Sequence, residues 1–550
     1  MTGSRWHSAV FARFGGGVLL CLVMTETFAQ GSFPLRYTPA PFDAAAVELD
    51  DHRRSEAGEL ELYARTLALQ LNTAQHGTWS TEGADRIWRI AVGSPSAQAM
   101  ELLLVDVDVP AGSSLHLLDE EGRRLAEPMM MALPEGVHEC SSPMAYTDAM
   151  VVEFHQPLSA PFQGRFAIDG LAHAYRHVDD AMREGPCHVN VTCAPESLGW
   201  EDAIAATVRI SVVTPQGNGW CSGTLMNNVR QDCTPYLLTA NHCGRTSTAA
   251  QFNQYKFYFN FQYATCTGGS YSTSQFIQGA QRRGYSDDYT VELPLGGSDF
   301  MLLEANVPVP EAFEPFWAGW DANPVNNVSA DGVCIHHPTG APKRISSYTQ
   351  TLTTGHPQTS TGLQSHYRVK WAATANGHGI TESGSSGSGL FKPNAGLGPV
   401  LIGTLTGSST GMTCTNNTGT SYFGKMSYHW TNNPNTTVQK LKHWLDPDDT
   451  GVLVLGGSAD PCGAASSVNE MADQALQVYP NPATERLWVR PSRTNAVGYR
   501  ILDGAGRAVS QGRLSATEPI DVHGMAPGLY VMQLFLPDGA PRHHAFLIAR

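Results

Sequence analysis

Three residue types that together perform acyl transfer occur along this chain in the order His242, Asp299 and Ser386. Ser386 lies in Glu382-Ser383-Gly384-Ser385-Ser386-Gly387-Ser388. Glycines beside a serine let the backbone turn tightly and leave N–H groups free to converge on a carbonyl oxygen. Taken alone, such a Gly/Ser-rich stretch also reads as a flexible linker. His242 ends the apolar run Tyr236-Leu237-Leu238-Thr239-Ala240-Asn241-His242-Cys243, and a single histidine at a strand end also reads as structural. Asp299 follows Gly296-Gly297-Ser298 and opens Phe300-Met301-Leu302-Leu303-Glu304, where a turn or capping role is the plainer reading. Together the three supply a nucleophile, a base and an orienting carboxylate, the set needed to cleave a carbonyl compound through an acyl-enzyme.

Positioning three side chains from distant parts of a chain requires a rigid scaffold, and the composition points to a mainly β one. Of 550 residues 42% are hydrophobic and only 15% charged, with 54 Gly and 34 Pro, which favours short strands joined by turns. The length suggests three or four domains. Thr207-Val208-Arg209-Ile210-Ser211-Val212-Val213 alternates as a half-buried strand, and Trp220-Cys221-Ser222-Gly223-Thr224-Leu225 begins the next. A disulfide between Cys221 and Cys243 would lock the loop carrying His242. Val438, Leu441, Trp444 and Leu445 have the spacing of an amphipathic helix. It ends near Asp446, in a stretch without the regular ligand spacing of a calcium loop. The net charge of −15 argues against sequence-independent nucleic-acid binding. Residues 1–29 read as a signal peptide, with Arg5 and Arg13 ahead of a short apolar core and small residues before Gln30. No later stretch is apolar for the length of a membrane helix. Loss of the signal peptide takes Cys21 and leaves an even set of cysteines, which in an exported chain reads as disulfides. No cysteine pair has zinc-finger spacing, and adjacent His336 and His337 would point to opposite faces of a strand; no metal or cofactor is expected.

Four segments resemble the signatures of the bacterial lysyl endopeptidases, secreted serine proteases of the chymotrypsin fold. They are Thr239-Ala240-Asn241-His242-Cys243, Gly297-Ser298-Asp299-Phe300-Met301-Leu302-Leu303-Glu304, Ile335-His336-His337-Pro338 with Lys343-Arg344-Ile345-Ser346, and Gly379-Ile380-Thr381-Glu382 running on to Ser388. The resemblance spans about residues 185–457. It implies Ser386 as nucleophile, His242 as general base, Asp299 as its orienting partner, and the N–H groups of Gly384 and Ser386 as oxyanion hole. It also implies disulfides 187 with 414, 193 with 266, and 221 with 243. Cys233 and Cys334 are additional and are expected to pair with each other, leaving Cys140 and Cys462 unassigned. Ser385 stands where many animal relatives of this fold carry the aspartate that receives the new N-terminus on activation, so that switch is not expected. Activation is instead expected to remove the region before about Gly185.

Specificity departs from the family pattern. Ser421 occupies the position of the lysine-binding aspartate and Thr406 that of an accompanying histidine. An ammonium buried without a counter-charge is costly, so strict lysine preference is not expected. Glu382 reads either as a weaker anchor for a basic side chain or as a structural hydrogen-bonding group. After a linker over 458–473, Tyr479-Pro480-Asn481-Pro482 and Gly528-Leu529-Tyr530-Val531 resemble the C-terminal sorting domain of type IX secretion substrates. The resulting organisation is a signal peptide (1–29), a β-rich propeptide (30–183), a two-barrel protease domain (184–457), the linker, and a β-sandwich sorting domain (474–550). The expectation is a monomeric extracellular or cell-surface serine endopeptidase acting on proteins or peptides, its export served by type IX machinery. The alternative is a catalytically silent homologue acting as an adhesin.

Overall fold

The computed structural model describes residues 36–176, 184–288, 297–325, 329–358, 364–463, 476–479, 482–491, 498–503, 507–513, 519–535 and 541–549. The expected signal peptide, most of the linker and the residues just before Glu184 lie outside that set. The described chain divides into two compact units, up to Pro461 and from Cys462 onward.

The N-terminal part of the first unit is a β-sandwich preceded by helix α1 (Ala44–Glu56), whose N-terminus is capped by Asp43. One sheet contains β1 (Leu62–Asn72), β3 (Ala99–Asp108) and β6 (Arg165–Ala174); the other contains β2 (Asp85–Gly93), β4 (Ser114–Leu118) and β5 (Ala149–Pro157). Trp88, Ile90, Leu102, Leu104, Val152, Phe154 and Ile168 fill the layer between them. Along β5 buried and half-buried positions alternate, the period-2 pattern of a strand with one face on a core.

The central part holds two antiparallel sheets of six principal strands. The first is built from β7 (Thr207–Thr214), β8 (Gly217–Met226), β9 (Tyr236–Ala240), β10 (Lys256–Tyr258), β11 (Ala280–Tyr285) and β12 (Phe300–Ala305), paired in the order β10-β7-β8-β9-β12-β11. The second is built from β13 (Gly332–His336), β14 (Arg344–Tyr348), β15 (His366–Val369), β16 (Gly389–Asn394), β17 (Gly398–Ser408) and β18 (Ser421–Lys425), paired in the order β14-β13-β16-β17-β18-β15. Numbered from its own first strand and read round a circle, each follows first, second, third, sixth, fifth, fourth. Two sheets with one cyclic order, each curling on its own apolar core, make the two-barrel chymotrypsin-like fold. A further core, including Leu238, Leu302, Trp320, Ile335, Phe391 and Leu401, lies between the barrels.

The N-terminal sandwich is continuous with the first barrel, because β1 pairs with β8 through Gly217↔Arg65, Asn218↔Ala64 and Gly219↔Leu62. Gly219 permits this: a Cβ there would lie 2.7 Å from the Glu61 carbonyl and 2.8 Å from the Leu60 side chain. The expected single helix over 438–445 is two short pieces, a 3-10 turn at Thr437–Gln439 and α2 (Leu441–Leu445), broken where Lys440 is extended. Leu441 and Leu445 are buried while Val438 is exposed, so the apolar packing falls to the second piece, and the first is held instead through the buried polar Gln439, which donates to Asp287. The unit from Cys462 forms a separate β-sandwich of a three-stranded and a four-stranded sheet, closed over Leu487, Ile501, Val522, Met532 and Phe546.

Candidate active site

The site is assembled by strand register. β9 and β12 pair antiparallel with Ala240 opposite Phe300, so the residues just after one and just before the other become neighbours. These are His242 and Asp299. His242 Nδ1 lies 2.6 Å from Asp299 Oδ2, and the His242 backbone N–H donates to Asp299 Oδ1 at 2.9 Å. Asp299 takes both bonds from a left-handed backbone, φ +55°. With the aspartate accepting at Nδ1, the imidazole presents Nε2 as the available base.

β8 connects this half to the serine loop. Cys221 is disulfide-bonded to Cys243, beside His242. The neighbouring Ser222 donates its N–H to the Ser386 carbonyl at 2.8 Å and its hydroxyl to the Gly384 carbonyl at 2.9 Å. One short stretch thus holds the histidine-bearing turn covalently and the serine loop by hydrogen bonds. Gly384 has φ +84°, and a Cβ there would meet the His337 carbonyl and the Gly340 N–H at 2.8 Å, so only glycine fits. Among the described residues, neither the Gly384 nor the Ser386 N–H donates to a protein acceptor. Two unused donors, one on Ser386 itself and one two residues before it, are what an oxyanion hole requires.

Ser385, in place of the aspartate of other relatives, is fully buried and lies 2.8 Å from His336 Nδ1; His336 Nε2 lies 3.1 Å from Ser346 Oγ. His337 bonds through Nδ1 to the Ala341 carbonyl. Burial holds both imidazoles well below their usual pKa, so both are neutral hydrogen-bonding groups.

The residues assigned to specificity form two clusters. The hydroxyls of Thr381, Ser408 and Ser421 lie 2.6–3.0 Å from one another, and Trp371 donates its indole N–H to Ser421 at 2.9 Å. Thr406 bonds to His366 Nε2 at 3.0 Å. Trp371 and His366 were missed from the sequence because they sit on or just after β15, which reaches this region only through pairing with β18. Glu382 turns away from both clusters. Its Oε2 accepts from the Gly185 N–H and lies 3.2 Å from His188 Nε2. Burial raises its pKa, but hydrogen bonding and charge from His188 and the Gly185 N–H outweigh that and hold it below the usual carboxylate range.

The disulfides are Cys187–Cys414, Cys193–Cys266 and Cys221–Cys243. Cys233 is disulfide-bonded, as is Cys462, but Cys334 is not its partner: Cys334 is a free buried thiol, and so is Cys140. The expected 233–334 pair fails because Cys334 faces the interior of the second barrel, its Sγ 3.1 Å from Ser388 Oγ, whereas Cys233 packs against the core of the first. Burial pushes both free thiols up to about 12, which makes them inert.

The N-terminal sandwich lies against the site. A cleft of about 190 Å³ beside His242 is lined by Arg53, Arg54, Glu59 and Leu60 together with Gln216 and Arg245. A second, of about 210 Å³, brings Glu61, Leu62 and Arg176 to Trp220, Ser383 and Gly384.

Residues 182–424 match the family described as Lysyl endopeptidase, C-terminal domain. The central region is lysyl endopeptidase-like. A lysyl endopeptidase of Pseudomonas aeruginosa is 30% identical over 274 residues, 46% of this chain and 53% of that protein, so the chain spans about half the length of this curated relative. Residues 477–536 match the Secretion system C-terminal sorting domain. With that tail behind a lysyl endopeptidase-like region, the protein is secreted or held at the cell surface. Similar solved structures include a scabies mite inactivated protease paralogue, 13% identical, covering 41% of this chain and 92% of its own with a TM-score of 0.30. A thermostable serine protease from an extremophilic microorganism, 15% identical, covers 41% and 93% with a TM-score of 0.28. The fold of the lysyl endopeptidase-like region rests on its strand order rather than on these partial overlays.

Proposed function

We propose that this protein is a secreted serine endopeptidase that hydrolyses peptide bonds through Ser386, His242 and Asp299. The observation carrying the proposal is the double contact of Asp299 with His242, 2.6 Å to Nδ1 and 2.9 Å to the backbone N–H. Ser386 Oγ attacks the scissile carbonyl while His242 Nε2 takes its proton, and Asp299 stabilises the imidazolium. The N–H groups of Gly384 and Ser386 bind the oxyanion of the tetrahedral intermediate. His242 passes its proton to the leaving amine, and water then hydrolyses the acyl ester by the same steps in reverse roles.

The side chain before the cut meets hydroxyls. Thr381, Ser408 and Ser421 offer lone pairs without net charge, and Glu382 is engaged by Gly185 and His188. Leaving an ammonium without a carboxylate costs several kcal/mol; cleavage is therefore not confined to sites after lysine or arginine. The N-terminal sandwich acts as a propeptide that covers the site, as supported by Leu60 and Glu61 lying on Gly219. Transfer across an outer membrane by the type IX machinery is supported by the sorting tail.

Cleavage-site profiling of a peptide library by the secreted protein, beside Ser386→Ala, tests the reading. Cuts after a range of uncharged residues, absent from the variant, are expected. Cuts only after lysine would overturn the specificity, and cuts that survive Ser386→Ala would overturn the mechanism. N-terminal sequencing of the active form tests the propeptide: a start near residue 184 is expected, and an active form retaining residues 36–176 would remove that role.

A further inference from the structure

Glu382 sits at the head of the serine loop, four residues before the nucleophile, and its side chain is only 21% exposed. Both of its oxygens face the segment at the start of the lysyl endopeptidase-like region. Oε2 takes the Gly185 N–H at 3.2 Å, and a Cβ on Gly185 would come within 2.9 Å of Oε1 and 2.3 Å of Cys414 Sγ. His188 is 1% exposed; neither ring nitrogen makes a hydrogen bond among the described residues, and Nε2 faces Glu382 Oε2 at 3.2 Å as an ion-pair contact. A buried imidazole with no hydrogen-bond partner of its own has strong reason to stay beside the one carboxylate that faces it, and that carboxylate is fixed by the Gly185 N–H.

This pair is fixed on one side and linked to the serine loop on the other. The Cys187–Cys414 bond pins the segment, and the Cys187 carbonyl accepts from the N–H groups of His378 and Gly379. From Glu382 onward the loop is held at the Gly384 and Ser386 carbonyls by Ser222 and by bonds within its own turn. The Glu382 N–H donates to Ser385 Oγ at 3.1 Å, the Ser385 N–H returns to the Glu382 carbonyl at 3.0 Å, and the Ser383 carbonyl accepts from the Thr339 N–H at 2.5 Å. Ser385 Oγ is held in turn by His336. The loop that aims the Gly384 and Ser386 N–H groups is therefore tied down at its carbonyls by Ser222, beneath by His336 and Ser385, at its flank by Thr339, and at its head by Glu382.

We propose that Glu382 is a positioning residue, not the anchor of the substrate side chain: by clamping Gly185 and His188 it sets where the serine loop begins and hence how the Gly384 and Ser386 N–H groups meet the oxyanion. The entry segment of the lysyl endopeptidase-like region thereby becomes part of the oxyanion machinery. This rests on the endopeptidase reading above. A donor displaced from an oxyanion hole costs on the order of 10²–10³ in rate, and a fraction of that follows from tilting the loop.

The test uses the secreted protein with Glu382→Ala, Glu382→Gln and Gly185→Ala, measured on peptides ending in lysine and in an uncharged residue at the cut site. Glu382→Ala is expected to lower kcat about 10- to 100-fold on both peptide classes, with KM nearly unchanged and the affinity of a peptide boronate falling in parallel. Glu382→Gln keeps an acceptor for the Gly185 N–H and is expected to recover most of the activity. Gly185→Ala, whose Cβ would press on Glu382 Oε1 and on Cys414 Sγ, is expected to resemble Glu382→Ala, and recovery of activity in Glu382→Gln at an unchanged melting temperature separates displacement of the loop from misfolding. A loss confined to lysine peptides and expressed in KM would overturn the proposal in favour of an anchor, as would unchanged kcat in both Glu382→Ala and Gly185→Ala. Failure of the wild-type protein to hydrolyse any peptide in a Ser386-dependent way would instead overturn the endopeptidase reading and this proposal with it.

Discussion

Asp299 occupies the left-handed region, a backbone state that costs a non-glycine residue on the order of 1 kcal/mol or more and persists only when neighbours over-determine it. Here the neighbours are the two bonds from His242 and the Asn241 N–H donating to the Asp299 carbonyl at 3.0 Å. Asp299→Asn preserves the shape but offers an amide where the imidazole needs an acceptor; kcat is expected to fall on the order of 10⁴-fold with the fold intact, read by steady-state kinetics and melting temperature together. Gly384→Ala would force a Cβ against the His337 carbonyl and is expected to cost about 10²–10³ in kcat. At this scale the flanking runs single out His242, Asp299 and Ser386 as candidates, and the fold brings the first two into contact. His188, His366 and Trp371 are not legible, because a lone histidine or tryptophan acquires meaning only from what the fold brings to it. Glu382 shows the same limit: its position before the serine is plain in the sequence, but the direction of its carboxylate depends on Gly185, some two hundred residues away.

The elements that carry the site are short, and their precision comes from register and crosslinks. Cys221–Cys243 closes a loop of 22 residues between β8 and His242, for which loop-closure entropy amounts to about 3 kcal/mol. Replacing both cysteines by serine is expected to lower stability by about that amount and to lower kcat as well, since the histidine turn loses its covalent hold; chemical denaturation and kinetics on the same preparation check both. The alternation over 207–213 made β7 legible as a strand but not as half-buried, since all eight of its residues are buried, the polar ones covered by elements that come from elsewhere in the chain; the break between Val438 and Leu441 was not legible either, because the apolar spacing is the same whether Lys440 is helical or extended. Pairing of Cys233 with Cys334 failed for a related reason: cysteine count carries no information about which barrel interior a thiol faces.

For the molecule as a whole, two buried lysines set testable behaviour. Lys256, on β10 of the first barrel, is 1% exposed and donates to Glu101 and to the Ser142 carbonyl, both in the N-terminal sandwich. Glu101→Ala would strand that ammonium, and the full chain is expected to lose about 3–5 kcal/mol, while pairing Glu101→Leu with Lys256→Met is expected to recover much of it. Denaturant unfolding in a Ser386→Ala background, which prevents self-digestion, reads both. Lys343 is fully buried with its Nζ on the Ile204 carbonyl at 2.5 Å, and burial lowers it to about 7. Between about pH 7 and 10 the folded state has shed a proton that the unfolded chain, near 10.4, still holds, so this group's cost is fully present below pH 7 and fades as pH rises. Lys343→Met is expected to be more stable than wild type by a few kcal/mol at pH 6 and nearly equal to it near pH 10. The division into strands and the sorting tail were legible here, but the sharing of a sheet between β1 and β8 was not, since Gly217-Asn218-Gly219 reads as an ordinary turn until another strand is laid on it.

The proposed mechanism turns on Ser386 as a nucleophile activated by His242. Labelling the secreted protein with a fluorophosphonate probe and locating the adduct by peptide mass mapping tests it directly. A single adduct on Ser386 is expected, absent from Ser386→Ala and strongly slowed in His242→Ala. An unlabelled wild-type protein, or an adduct on Ser383, Ser385 or Ser388 that persists without Ser386, would contradict it.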